Sequence, residues 1–236
     1  MRKKIVGIIA LLTVSSVTFS LENGNINFRV GGDIHSKVSN IGNYSNGDTE
    51  DYGYEVGVEY TRTLKEKIDL GIGIAYQTPA KFSGNMSETS SMSGSIETET
   101  FKGYEDFKGY KSVPLYIVGK YSFNPIKEFT PYVRLGLGYS FNFGNEDIRY
   151  VDGEEREDES TDQDLGGSLN EAYSLSTKVT NGLYYSIGAG VAYHNWAIET
   201  IYQVTQADLE VQDRAGNTKK YDADYERITV VLSYKF

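Results

Sequence analysis

In eight separate segments of this 236-residue chain, apolar residues take every second position and polar or small residues take the positions between. Ile68, Leu70, Ile72, Ile74 and Tyr76 alternate with Asp69, Gly71, Gly73, Ala75 and Gln77. Val133, Leu135, Leu137, Tyr139 and Phe141 alternate with Arg134, Gly136, Gly138, Ser140 and Asn142. The other six segments start near Ile26, Tyr54, Val113, Leu183, Trp196 and Ile228. A strand turns successive side chains to opposite faces, so this period means strands with one apolar face each, and no segment holds the helical period of about 3.6. Each segment spans the roughly 9–11 residues that a tilted strand needs to cross a bilayer. An even number of antiparallel strands closes with both ends on one side and leaves no unpaired edge in lipid. The expected fold is all-β: an eight-stranded antiparallel transmembrane up-and-down β-barrel.

The connections follow a second rule. Lys65 to Lys67, residues 124–128 and His194-Asn195 are short, whereas 39–51, 79–110, 144–181 and 206–222 are long, and the two kinds alternate strictly. Short turns on one side and long loops on the other are the arrangement of an outer-membrane barrel with surface loops. A mean hydropathy of −0.43 excludes a helical membrane bundle but not a barrel, in which only alternate residues meet lipid. Arg2, Lys3 and Lys4 precede the apolar run from Ile5 to Val14 and then small or polar residues. That pattern predicts a secretory signal peptide over 1–20, leaving the barrel and its long surface loops in 21–236. A net charge of −10 argues against nucleic acid as a partner, and the absence of cysteine excludes disulfides, thiol catalysis and Cys-built zinc sites.

The apolar face predicts which residues meet lipid. Phe28, Tyr60, Tyr121, Phe123, Tyr193 and Trp196 fall at strand ends beside the short turns or termini, and Tyr76, Tyr139, Tyr185 and Tyr202 fall towards the long loops. Two aromatic belts around an aliphatic band suit the membrane interfaces. The opposite face mixes Gly and Ala with Arg29, Asp33, Glu55, Glu59, Asp69, Lys120, Arg134, Glu199 and Arg227. Buried charges are tolerable only when paired, so these nine are expected to form a charge network that fills most of the lumen. Pro114 resists the pattern, because proline has no N–H for the ladder, and a bulge or the rim is expected there.

Several stretches resemble the small outer-membrane β-barrel family that includes the OmpA transmembrane domain, OmpX, OmpW-like and opacity-type proteins. They are Val113-Pro114-Leu115-Tyr116, Lys120-Tyr121-Ser122-Phe123, Pro131-Tyr132-Val133 and the final strand. In that strand Val230, Leu232, Tyr234 and Phe236 resemble the closing segment read by the barrel-assembly machinery. The resemblance covers the chain after the signal segment and implies residence in the bacterial outer membrane. With Phe236 last, no peptidoglycan-binding domain of the OmpA type is expected.

The leading expectation is a barrel that presents surface loops for adhesion, host-factor contact or envelope integrity. Its partners would be outer-membrane lipid, the assembly machinery and an unidentified surface ligand, with no cofactor and no metal. A narrow channel for small or apolar solutes is the alternative. A lipid-modifying enzyme is a third reading and would need His35, read as inward-facing near the loop end of the first strand, but nothing places a serine or acid beside it. His194 reads as a solvated turn residue. Segment 144–181 holds eleven acidic against three basic residues, a net −8, without the spacing of a calcium loop, and reads as solvated. The polar stretch 83–100 reads as surface polypeptide. Phe101, Tyr104, Phe107 and Tyr110 after it suit either an extended hairpin or an aromatic contact patch.

Overall fold

The computed structural model describes residues 24–38, 53–79, 86–93, 96–105, 109–144, 148–158, 163–212 and 217–236. The expected signal segment 1–20 and the first long connection 39–51 lie outside them.

Eight strands form a closed barrel: β1 (Gly24–Val38), β2 (Tyr54–Lys65), β3 (Ile68–Gln77), β6 (Lys111–Ser122), β7 (Phe129–Phe143), β10 (Gly182–Tyr193), β11 (Trp196–Thr205) and β14 (Tyr225–Lys235). Every neighbouring pair is antiparallel, and β14 closes on β1 with Phe28 opposite Tyr234 and Val30 opposite Leu232. The last residue joins the seam, its amide donating to the Ile26 carbonyl at 2.9 Å. The short connections are tight turns. His194 adopts φ 51° and Lys127 φ 58°, left-handed conformations that match a hairpin's twist.

The faces follow the alternation. Leu135 and Leu137 are 62% and 64% exposed on the outside, whereas Arg134, beside Leu135 in the chain, is 1% exposed. Around the short-turn end the exterior aromatics touch one another: Tyr121 with Phe123 at 5.3 Å, Phe129 with Tyr193 at 5.1 Å, and Trp196 with Tyr234 at 4.8 Å between centroids. Tyr76, Tyr139, Tyr185 and Tyr202 are exposed towards the other end, and Tyr60 is half-buried on the same exterior.

Two local departures have physical causes. Pairing of β1 with β14 passes from Asp33–Thr229 to His35–Ile228, so Ile34 is an extra residue in a bulge. A bulge reverses the parity beyond it. Ser36 and Val38 therefore turn inward and His35 is exposed, which corrects the expectation that His35 faces the lumen. Pro114 needs no bulge. It pairs with Ser140 of β7, while the ladder to β3 lapses between Leu115 and Ser112, so its missing N–H falls where no bond is made.

The long connections form strands of their own. Segment 79–110 supplies β4 (Met86–Ser93) and β5 (Ile96–Glu105), and 144–181 supplies β8 (Ile148–Asp158) and β9 (Gln163–Val179). Segment 206–222 supplies β12 (Asp208–Gln212) and β13 (Thr218–Asp222). These six make a second sheet in the order β13-β12-β9-β8-β5-β4, so the acidic stretch read as a solvated loop is central strand in this sheet.

Candidate functional site

Alternation turns one side chain in two into the lumen, and closure brings strands far apart in sequence face to face there. Arg29 on β1, Glu59 on β2, Arg134 on β7 and Glu199 on β11 are all 2% exposed or less. Arg29 donates to Glu59 at 2.5 Å and to Glu199 at 2.8 Å. Arg134 donates to Glu59 at 2.7 Å and to Glu199 at 2.8 Å. The four make a ring of alternating sign in which each guanidinium spans both carboxylates. Two guanidinium groups would repel so close together. Each lies between two anions, so the arrangement is attractive.

The ring has further supports. Lys120 places its ammonium 2.9 Å from Glu59, the Tyr116 hydroxyl donates to Glu59 at 2.9 Å, and the Tyr132 hydroxyl donates to Glu199 at 3.1 Å. Small residues make the room: a Cβ at Gly73 would stand 2.5 Å from the Tyr116 ring, and one at Gly188 would stand 3.2 Å from Arg134. At Gly73 and Gly188 the missing side chain therefore leaves room for Tyr116 and Arg134 in the lumen.

Towards the long loops the network continues without a break. Glu55 lies 3.5 Å from Arg29 and accepts from Gln77 at 2.9 Å and Gln203 at 3.0 Å. Gln203 accepts from Tyr184 at 2.8 Å and donates to Thr229 at 3.0 Å. Thr229 in turn donates to Asp33 at 2.7 Å, and Asp33 pairs with Arg227, which also donates to the Thr78 carbonyl at 3.0 Å. Above Arg227 the chemistry becomes apolar. Val38, Tyr110, Val179, Ala207, Leu209, Val211, Ala223 and Tyr225 form one buried cluster, which joins residues of three long connections to the loop ends of β1 and β14. Tyr110 fixes it by donating to the carbonyls of Ala223 at 2.9 Å and Thr205 at 3.2 Å. Burial holds the Tyr110 phenol well above its ordinary range, so it remains a donor.

Eight of the nine expected lumen charges meet in this network, four cationic (Arg29, Lys120, Arg134, Arg227) and four anionic (Asp33, Glu55, Glu59, Glu199). The ninth, Asp69, does not join. It is half-buried next to the turn after β2 and accepts from Thr63 at 2.6 Å. Parity alone could not separate it, because it has the right face and the wrong height. Sequence reasoning also missed Tyr116, Tyr132 and Tyr184, which lie on lumen parity among charged and glycine positions. Tyrosine read as an interface residue hid them, although their parity was visible. Among the described residues no group of three or more His, Cys, Asp or Glu side chains is arranged to hold a metal ion.

No family model matches the chain. The uncharacterized protein PM1543 of Pasteurella multocida is 26% identical over 243 residues, spanning 100% of this chain and 98% of its own length. Among solved structures, the attachment invasion locus protein Ail of Yersinia pestis shares 12% identity over 91% of this chain and 99% of that one, with a TM-score of 0.38. Neisserial surface protein A shares 12% over 90% and 97%, with a TM-score of 0.37. A major outer membrane protein of Thermus thermophilus shares 10% over 91% and 100%, with a TM-score of 0.43. Independently of these likenesses, a closed eight-stranded barrel that turns Leu, Ile, Val and aromatic side chains outward and its charges inward is the architecture of an integral bacterial outer-membrane β-barrel.

Proposed function

We propose that this barrel is a closed, non-catalytic anchor that holds the six-stranded sheet of its long connections at the cell surface for contact with an external ligand. Adhesion, host-factor contact and envelope integrity are the roles that such a display serves. The observation that supports this reading is the buried Arg29–Glu59–Arg134–Glu199 ring, with the apolar Tyr110 cluster at the loop end of the strands. An aqueous pore needs a continuous polar path, and here the polar groups bond to one another. His35 lies on the exterior beyond the β1 bulge, outside the lumen network. In the same reading the outward aromatics hold the barrel at the two headgroup levels, and Val230, Leu232, Tyr234 and Phe236 address it to the assembly machinery.

The test is solute entry into proteoliposomes. The closed-anchor reading expects small sugars and amino acids to enter no faster than into protein-free vesicles. Swelling that scales with protein content would favour the narrow-channel alternative and overturn the anchor.

A further inference from the structure

Where β2 turns into β3, at the short-turn end of the barrel, the chain carries cations that the lumen network does not use. Arg62 has exterior parity on β2, directly opposed to Leu70 of β3 and to Gly24 of β1. Pairing of β2 with β3 then passes from Thr63–Asp69 to Lys65–Ile68, so Leu64 is an extra residue in a bulge. The bulge reverses the parity beyond it and brings Lys65 into register with Ile68, which is exposed on the exterior. Without it, Lys65 would share the lumen parity of Thr61 and Thr63. Arg62 and Lys65 therefore stand on one wall, and Lys67 follows in the turn.

The neighbouring turn adds to the cluster. The Lys67 carbonyl accepts from the Ser122 amide at 2.8 Å, which sets the β2–β3 turn beside the connection from β6 to β7 and its exposed Lys127. The acids of the two turns are Glu66 and Glu128. Among the described residues no ion pair holds Arg62, Lys65, Lys67 or Lys127, in contrast to Lys120 inside the lumen. Apolar groups surround them, since Leu64, Ile68 and Leu70 are exposed on the same wall. A Cβ at Gly24 would stand 2.1 Å from the Tyr60 ring, so that ring leans into the row of Arg62. Cations among exposed aliphatic and aromatic groups suit the headgroup level, where the stem lies in hydrocarbon and the charge reaches the phosphates.

We propose that Arg62, Lys65 and Lys67, with Lys127 beside them, bind the phosphate of an anionic phospholipid in the periplasmic leaflet. The short turns of an outer-membrane barrel face the periplasm. Arg62 would hold the phosphodiester through two guanidinium N–H groups, and the lysines would add charge from the turns. Lipid is favoured over the cell wall because Arg62 and Lys65 have the parity of the lipid-facing wall, with the exposed Leu64 between them. A chain of net charge −10 thus keeps unpaired cations at this end. The inference goes beyond the surface-display reading and concerns the opposite end of the barrel.

The test is native mass spectrometry of the protein released from detergent micelles that contain equal amounts of phosphatidylglycerol and phosphatidylcholine. The wild type is expected to retain phosphatidylglycerol about tenfold over phosphatidylcholine. Arg62→Gln/Lys65→Gln/Lys67→Gln should bring the two lipids close to parity. Lys111→Gln/Lys178→Gln/Lys220→Gln, which removes three exposed cations from the loop end, should leave the preference unchanged. Equal retention of the two lipids by the wild type, a result that needs no variant, would overturn the proposal. An equal fall in both variants would reduce the preference to net charge and overturn the site. Cosedimentation of the wild type with purified peptidoglycan sacculi, lost in the Arg62 variant and without any lipid preference, would assign the cations to the cell wall. Failure here is separable from failure of the anchor reading, because vesicle swelling reports only on the lumen.

Discussion

The lumen and the distal sheet treat charge in opposite ways. Inside the barrel four cations meet four anions, and Arg29 and Arg134 each contact two carboxylates. In the sheet, register sets Glu97, Glu157 and Asp164 opposite one another. The difference follows from the surroundings. An ion buried in the low-dielectric lumen costs several kcal/mol unless it is paired, whereas charges that keep water near them interact weakly. Balance is therefore compulsory in one region and optional in the other. The net acidity of the chain accumulates outside the lumen, with eleven acidic against three basic residues in 144–181.

Substitutions can break this contrast. Arg134→Ala leaves Glu59 and Glu199 each short of a guanidinium, and it should cost about 3–5 kcal/mol of barrel stability in urea unfolding from lipid vesicles. Glu157→Gln in the distal sheet should leave the same transition within about 0.5 kcal/mol of wild type. Equal losses from the two would remove the distinction. Leu137→Arg places a charge on the outer face where Leu137 is 64% exposed, and it should cost about 2–4 kcal/mol if that position lies near the bilayer midplane. A neutral result would count against lipid on that face.

The mouth of the barrel lies between the two regimes. Tyr110→Phe strands the buried carbonyls of Ala223 and Thr205 and should loosen the apolar cluster by about 1 kcal/mol, seen as faster hydrogen exchange in 206–212. The smallest effect belongs to Asp224, whose carboxyl burial pushes upward, reinforced by Asp222, Asp208 and Glu226 and opposed by its bond from the Ala207 amide. A carboxyl raised in the folded state binds its proton more readily there than in the unfolded chain. The contribution of this carboxyl to the hairpin of β12 and β13 should therefore be greatest at low pH and fade as pH rises through the raised value, opposite in sign to that of Glu210, which its bond to Lys220 holds below the ordinary carboxylate range. Asp224→Asn should flatten that dependence, as measured by the rate of proteolysis within the hairpin against pH.

The contrast also explains what the sequence made legible. Period two, set by the strand itself, located all eight barrel strands and the inward parity of Arg29, Glu59, Arg134 and Glu199. Which of these would meet depends on register and on barrel closure, and neither leaves a local trace. Asp69 shows this, since its parity is right but it lies beside a turn, below the ring. His35 was misplaced for a different reason, because a single extra residue at Ile34 reverses every face beyond it. An extended hairpin, one of two readings of Phe101 and Tyr104, matches the pairing of β5 with β4, whereas the Ser-, Thr- and Glu-rich strands β8 and β9 escaped notice because they carry no sustained apolar period.

The central claim is that the lumen is shut by its own charges, and single-channel recording in planar bilayers tests it most directly. Wild-type protein should give no stable conductance at either polarity, while a Glu59→Ala/Arg134→Ala protein that still shows a heat-modifiable band should give one. Reproducible stepwise conductance from the wild type, unchanged in the double variant, would contradict the account.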